Sequence, residues 1–176
     1  MFKPTRTGLD KDFTSFALSL LVLLWALFTY LVFRSENTLV CILAKNFVSE
    51  YYFKVCRFWI SEKISPHELV VFSMPGALWM FATCLISRKY HIMVKKLKIR
   101  LDLIPIFVIV YFEIMQKLGF LKGYFDWNDL VFALFFYVVY VFGFREAKTK
   151  NLKDNFKIGG SSIIPIYSMV YLAHLC

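Results

Sequence analysis

The hydrophobic residues of this chain fall into long, nearly uninterrupted blocks that are separated by shorter polar or mixed stretches. The blocks cover residues 13–33, 68–87, 101–118, 127–144 and 161–175. A helix of about 20 residues crosses the roughly 30 Å of hydrocarbon in a bilayer. The pattern therefore predicts an all-α integral membrane protein, a single domain with a bundle of about five transmembrane helices. The last block is the shortest, so it either crosses tilted against its neighbours or only dips into the membrane.

The stretch between the first two blocks, residues 34–67, mixes apolar and basic positions. Its aliphatic and aromatic residues are interrupted by Lys45, Lys54 and Arg57. This composition is typical of one or two amphipathic helices that lie in the membrane interface. Such a segment either packs as a lid over the bundle or forms a lateral gate for lipid.

Basic residues concentrate in two of the connecting stretches and predict the orientation of the chain. Residues 88–100 hold six Lys and Arg and no acid, and residues 145–157 hold five. Basic loops stay on the cytoplasmic side. We therefore expect a multi-pass protein of the inner, cytoplasmic membrane with a cytoplasmic N-terminus and an external C-terminus. The first block is longer than the apolar part of a signal peptide and is predicted to be a retained anchor.

Composition agrees with membrane residence and changes the interpretation of the charge. The chain is 59% hydrophobic and 19% aromatic, with a mean hydropathy of +0.60 and a formal net charge of +9. The positive charge lies between apolar blocks, where it contacts anionic headgroups. Membrane lipids are thus the expected partners, and no nucleic acid is expected.

The cysteines and histidines do not form a known metal or catalytic pattern. Cys41 and Cys56 share the segment 34–67, and whether they pair is left open. The histidines are scattered, and the chain has no CxxC, HExxH, GxSxG or phosphate-binding loop. We therefore predict no metal and no cofactor, and catalytic residues cannot be assigned.

Four polar residues near the third and fourth blocks form the candidate ligand-binding site: Glu113, Gln116, Asp126 and Asp129. Ionisable groups at membrane depth are costly and are functional candidates for that reason. The connection between the two blocks is short, so these helices should be antiparallel neighbours and the four side chains should meet in one outward-opening pocket. Three carboxylates repel one another, so one needs a proton or a cationic partner. Candidate partners are Lys117, Lys122 and basic residues of the segment 34–67.

Structural roles are the alternative for most of these residues. Asp126 is well placed to cap the helix that begins at Trp127, and Asp129 in its first turn complements the helix dipole. Gln116 can bond to a neighbouring helix. Glu113 lies deeper and is harder to explain structurally.

A proline and a glycine interrupt the second block. Pro75 removes a helical hydrogen bond, and Gly76 allows close approach of another helix. We predict a structural kink there, which serves either packing or the opening of a cavity.

The same residues resemble the VanZ-like membrane protein family. Glu113-x-x-Gln116 followed by Gly123-x-Phe125-Asp126-x-x-Asp129 is similar to the family's E-x-x-Q and G-x-x-D-x-x-D elements. Ser73-x-Pro75-x-x-Leu78-Trp79 resembles its S-L-P-D-x-L-W element, with Gly76 in place of the acid. The chain also has Ala133 where many members carry Asn. The resemblance implies a helical membrane protein linked, in its namesake, to glycopeptide antibiotic resistance, and implies no settled chemistry.

Two functional hypotheses follow. In the first, the protein binds or modifies a lipid or lipid-linked cell-envelope precursor through the carboxylate pocket, with Glu113 as the best general base if there is catalysis. In the second, it is a small homo-oligomeric membrane effector or accessory subunit, in stress or phage defence, that permeabilises the membrane or docks a cytoplasmic partner on its basic loops. No nucleophile is paired with a base, so enzymatic activity is left open.

Overall fold

The chain folds mainly into helices, with a small sheet at one end. The computed structural model describes residues 6–36, 38–121, 123–145 and 149–151, and the predicted fifth span at 161–175 lies outside them. The elements, in chain order, are α1 (Arg6–Phe33), α2 (Leu39–Phe47), α3 (Glu50–Lys63), α4 (Glu68–Phe72), α5 (Met74–Ser87), β1 (Tyr90–Val94), β2 (Leu97–Arg100), a short 3-10 helix (Leu101–Leu103), α6 (Ile104–Lys117), α7 (Trp127–Gly143) and β3 (Lys150–Asn151).

The helices lie where the apolar blocks predicted them. α1 contains the whole of the first block, and α7 ends one residue before the predicted boundary. Among the described residues, one segment, Phe13–Phe33, is long and apolar enough by itself to cross a membrane, and Met74–Ser87 and Trp127–Gly143 are apolar but shorter. The mainly helical fold is confirmed, and the number of membrane crossings stays a prediction.

The second apolar block is divided into two helices at Ser73. The backbone N–H of Ser73 closes the last turn of α4 on the carbonyl of Leu69, and α5 begins at the next residue. Pro75 lies in the first turn of α5, where its missing N–H costs little because that donor would have no partner within its own helix. The predicted interruption is therefore present, two residues before Pro75.

α5 is the central helix of the bundle. Eleven of its 14 residues are buried, and it packs against α1, α6 and α7. Trp79, Met80 and Phe81 belong to a core that also includes Tyr140 of α7 and Ile109 of α6. Burial on all sides explains why α5 is apolar without a polar stripe.

The surrounding helices turn large hydrophobic side chains outward. The exposed ones are Phe13, Phe16, Leu20, Leu21, Leu24, Trp25 and Leu27 on α1, Phe107, Val110, Tyr111 and Ile114 on α6, and Val131, Leu134, Phe135, Val138, Val139 and Phe142 on α7. Soluble monomers rarely expose apolar surface this extensively.

The mixed segment after α1 forms two helices, as predicted, but they pack chiefly against α1 and each other rather than across the bundle as a lid. Cys41 of α2 and Phe53 of α3 are buried, while Phe47, Tyr51 and Phe58 are exposed. Cys41 and Cys56 are both free thiols, so the pairing that the sequence left open is not formed.

A small three-stranded sheet, which the prediction did not include, lies in the two stretches predicted to be basic loops. β1 pairs antiparallel with β2 and parallel with β3, in the order β2-β1-β3. Two lysines form the tight turn, and Lys95 adopts a left-handed backbone with φ of 55°. The lysines favoured the prediction of a loop, although Tyr90–Val94 and Leu97–Arg100 do contain strand-forming residues.

Candidate ligand-binding site

Glu113 is held in place by the helix that follows it. Its side chain is buried on α6, and its Oε2 accepts a hydrogen bond of 3.1 Å from the backbone N–H of Asp126. That N–H belongs to the residue that begins α7, where backbone donors have no helical partner. The bond fixes the carboxyl group of α6 against the start of α7.

Asp126 acts as the N-cap of α7. Its Oδ1 accepts hydrogen bonds of 2.9 Å from both the backbone N–H and the side-chain amide of Asn128. The structural role that the sequence offered as an alternative is therefore observed, and the residue meets Glu113 through its backbone. Asp126 supports the site from outside the pocket.

Glu113 and Asp129 both line a small pocket between α5, α6 and α7. The lining residues are Ser73, Gly76, Ala77, Ile109, Phe112, Glu113 and Asp129. The two carboxyl groups are close enough to interact. The predicted meeting of carboxylates thus occurs for this pair, with Ser73 and Gly76 from the interrupted second block beside them.

Two polar atoms at the pocket are buried without a hydrogen bond of good geometry within the described part of the chain. They are Ser73 Oγ and Asp129 Oδ1. Leaving a buried polar atom unsatisfied costs about 1–3 kcal/mol. A bound donor would remove that cost, so the pocket is suited to a hydrogen-bond donor or a cation.

The pocket is small. The space open to a water-sized molecule is about 20 Å³, which accommodates about one water or one ammonium or hydroxyl group. Gly76 lines this space, and a Cβ at its position would meet no atom within 4 Å. Close approach of another helix, the predicted reason for Gly76, is therefore not observed at this position.

Gln116 lies outside the pocket lining. A Cβ at Gly123 would be 2.7 Å from Gln116 Nε2, and Gly123 has a left-handed φ of 121°. The side chain thus packs against the connection between α6 and α7, where only glycine fits. Gln116 therefore shapes the loop that carries Asp126 to Glu113.

Of the two lysines predicted as cationic partners, Lys117 and Lys122, the structure describes Lys117. The ammonium of Lys117 lies over the rings of Phe125 and Trp127, at 5.0 and 5.8 Å from their centroids. Lys122 lies outside the described residues. Lys117 is thus engaged with aromatic faces at the end of α6, as a snorkelling lysine is.

Arg34, the first residue of the segment 34–67, is near the pocket but is not one of its lining residues. Its guanidinium lies about 5 Å from the centroids of both Tyr30 and Phe72, and its Nη2 donates 3.2 Å to the carbonyl of Phe72. The charge interacts favourably with Asp129. A cationic partner for the carboxylates from the segment 34–67 therefore stays a prediction.

A second buried carboxylate, Asp102, was missed by the sequence interpretation. It is fully buried and accepts hydrogen bonds from the Tyr140 hydroxyl at 2.6 Å and from Arg100 Nη2 at 2.7 Å, with Arg145 Nε at 3.6 Å. The hydrogen bonds to Asp102 raise the pKa of Arg100 above its ordinary value, so the guanidinium stays charged. Asp102 lies within the third apolar block, so the rule of membrane depth that selected Glu113 applied to it as well.

Asp102 and its partners form a closed structural cluster. The thiol of Cys84 on α5 donates to the Asp102 carbonyl at 3.3 Å. Donors from α5, α7 and β2 therefore meet at Asp102, which joins three parts of the fold. A satisfied buried ion pair of this kind is typical of a structural connection rather than a ligand site.

Comparison of the chain with family models, with curated protein sequences and with solved structures finds no match. The resemblance to the VanZ-like family therefore stays a prediction.

Proposed function

We propose that the chain is a multi-pass membrane protein with about five spans and a cytoplasmic N-terminus. Support comes from the distribution of apolar side chains, which are exposed on α1, α6 and α7, while the polar Ser73, Asp102 and Glu113 are buried. In water this arrangement is unfavourable, whereas in lipid the exposed side chains are solvated and the buried polar groups are shielded. The helices α4 and α5 together cover 68–87 and constitute the second span.

Within this framework, the pocket of Ser73, Glu113 and Asp129 binds the polar group of an amphiphilic lipid or lipid-linked envelope precursor. The observation that carries this proposal is the meeting of two carboxyl groups, Glu113 and Asp129, at one pocket where Asp129 Oδ1 has no hydrogen bond of good geometry in the described chain. Acceptors and carboxylates select a protonated amine or a hydroxyl. The size of the pocket limits the bound part to one such group, while the rest of the ligand stays between the helices and the bilayer.

The resemblance to the VanZ-like family implies a link, in its namesake, to glycopeptide antibiotic resistance and does not identify the ligand. The proposal concerns binding and makes no claim about catalysis.

The experiment is to purify the protein in native lipid and identify the co-purifying lipids by mass spectrometry. The test variant combines Glu113→Gln with Asp129→Asn, which removes both charges from the pocket while keeping side-chain size. Asp126→Asn is the matched control, because Asn also caps helices and this carboxylate lies outside the pocket.

We expect one lipid or lipid-linked species to be enriched with wild type and with Asp126→Asn, and to be lost from the double variant. If all three proteins carry the same bulk lipids in the same proportions, the carboxylates only pack helices and the proposed function is wrong.

A further inference from the structure

The β1–β2 hairpin has one apolar face and one polar face. Paired residues of an antiparallel ladder point to the same side, and successive pairs alternate. Ile92 pairs with Ile99 and Val94 with Leu97, so four aliphatic side chains share one face. His91 pairs with Arg100 and Met93 with Lys98 on the other face.

The apolar face is open toward the hairpin tip. Leu97 is 64% exposed and Val94 is 51% exposed. Lys95, Lys96 and Lys98 surround them and are also exposed, and residues 88–100 contain no acid. The tip therefore combines bare aliphatic groups with concentrated positive charge.

The base of the hairpin is anchored to the bundle, so its tip has a defined direction. His91 is buried and its Nδ1 lies 3.0 Å from Thr149 Oγ1, just before β3. Arg100 is bound to Asp102, and Arg88 Nη1 donates 2.6 Å to Ser15 Oγ of α1. Contacts to α1, to Asp102 and to the residue before β3 hold the root of the hairpin.

We propose that this hairpin is a membrane-surface anchor that inserts Val94 and Leu97 into an anionic lipid leaflet. Aliphatic side chains enter the boundary between headgroups and acyl chains, and lysines beside them pair with lipid phosphates. The inference rests on the proposed membrane residence and is independent of the carboxylate pocket, which lies near the other end of α6.

The apolar tip is what favours lipid over nucleic acid. Binding to a phosphate backbone uses lysines and arginines and gains nothing from exposed aliphatic groups. A membrane interface uses both, because it is anionic at the surface and apolar beneath.

The test places a polarity-sensitive fluorophore on single cysteines and measures quenching by lipids with brominated acyl chains. The background replaces Cys56 and Cys176 with serine, while Cys41 and Cys84 have no exposed surface and stay unlabelled. Labels at Leu97→Cys and Lys98→Cys compare the two faces, and a label at Leu20→Cys on α1 reports insertion of the whole protein. The full chain is reconstituted in vesicles of phosphatidylcholine, with or without phosphatidylglycerol.

We expect quenching at position 97 to be several times stronger than at position 98, and to require phosphatidylglycerol. With the label at 97, changing Lys95, Lys96 and Lys98 to Gln should reduce partition of the tip by about fivefold for each lysine. Changing Lys45, Lys54 and Lys63 to Gln removes the same charge from α2 and α3 and should leave position 97 unaffected.

The anchor proposal is wrong if quenching is equal at positions 97 and 98, or if quenching at position 97 does not depend on phosphatidylglycerol. In either case, quenching at position 20 would still support membrane residence. Absence of quenching at position 20 overturns membrane residence itself, and the anchor with it.

Discussion

The carboxylate of Asp102 accepts hydrogen bonds from the Tyr140 hydroxyl and the Arg100 guanidinium, which lie 38 and two positions away in the chain. Removing one partner of a buried ion pair is more damaging than the net strength of the pair, because it leaves the other charge uncompensated. The cluster is thus sensitive to substitution at the acid itself.

Asp102→Asn should lower the free energy of unfolding by about 3–5 kcal/mol, since Arg100 loses the charge that compensates its partial burial. Thermal unfolding in detergent measures the change. Tyr140→Phe is the milder comparison, because it removes one hydrogen bond and should cost about 1–3 kcal/mol. A variant Asp102→Asn as stable as wild type would show that the ion pair contributes nothing.

Gly76 offers a way to test the pocket without changing its charge. Gly76→Val should weaken binding of the co-purifying lipid, because Gly76 belongs to the pocket lining and the added side chain would occupy open space beside that lining. Gly143→Val is the matched control, since that helical glycine also has open space around it. Lipid mass spectrometry is the measurement, and retention of the ligand by Gly76→Val would place the binding site elsewhere.

The interruption between α4 and α5 is the element-scale feature that builds the site. A continuous helix over 68–87 would satisfy Ser73 within its own turns, whereas the break leaves its hydroxyl buried and without a good partner. The conformation forced near Pro75 thus places a polar group between α6 and α7.

The hairpin turn gives an element-scale prediction. Lys95→Gly should stabilise β1–β2 by about 1 kcal/mol, because Lys95 has the left-handed backbone that only glycine adopts without strain. Lys96→Gly removes the same charge at a residue with negative φ and should destabilise the hairpin by about 0.5–1 kcal/mol. Amide hydrogen exchange of β1 and β2 measures both. An identical effect of the two substitutions would contradict the assigned turn geometry.

At the scale of the whole molecule, the proposed topology has four crossings in the described chain, and it predicts that the two kinds of connection lie on opposite sides of the membrane. A membrane-impermeant maleimide should label native Cys56, or Tyr124→Cys in a chain lacking Cys56 and Cys176, from outside intact cells. Lys96→Cys in that same chain should react only after permeabilisation. Labelling of position 96 and position 124 from the same side would rule out the proposed order of spans.

Much of the helical framework could be predicted from apolar blocks, because a long run of hydrophobic residues favours a helix over most of its length. Glu113 was found by the same logic, since one acid in such a run is conspicuous. Ser73 could not be assigned to the pocket, because its role depends on how separate helices pack. The hairpin escaped prediction because its lysines suggested a solvated loop, while the pairing of Val94 with Leu97 is a property of the folded chain.

The burial of α5 on all sides has a consequence for biosynthesis. The ribosome makes α5 before α6 and α7, so the face that will contact them has no protein cover when it first reaches the membrane. Phe81 receives its aromatic neighbours Phe136 and Phe144 only after α7 has been made. A nascent chain stopped before residue 127 therefore exposes an unfinished core, and membrane quality-control proteases should degrade that fragment faster than the completed protein.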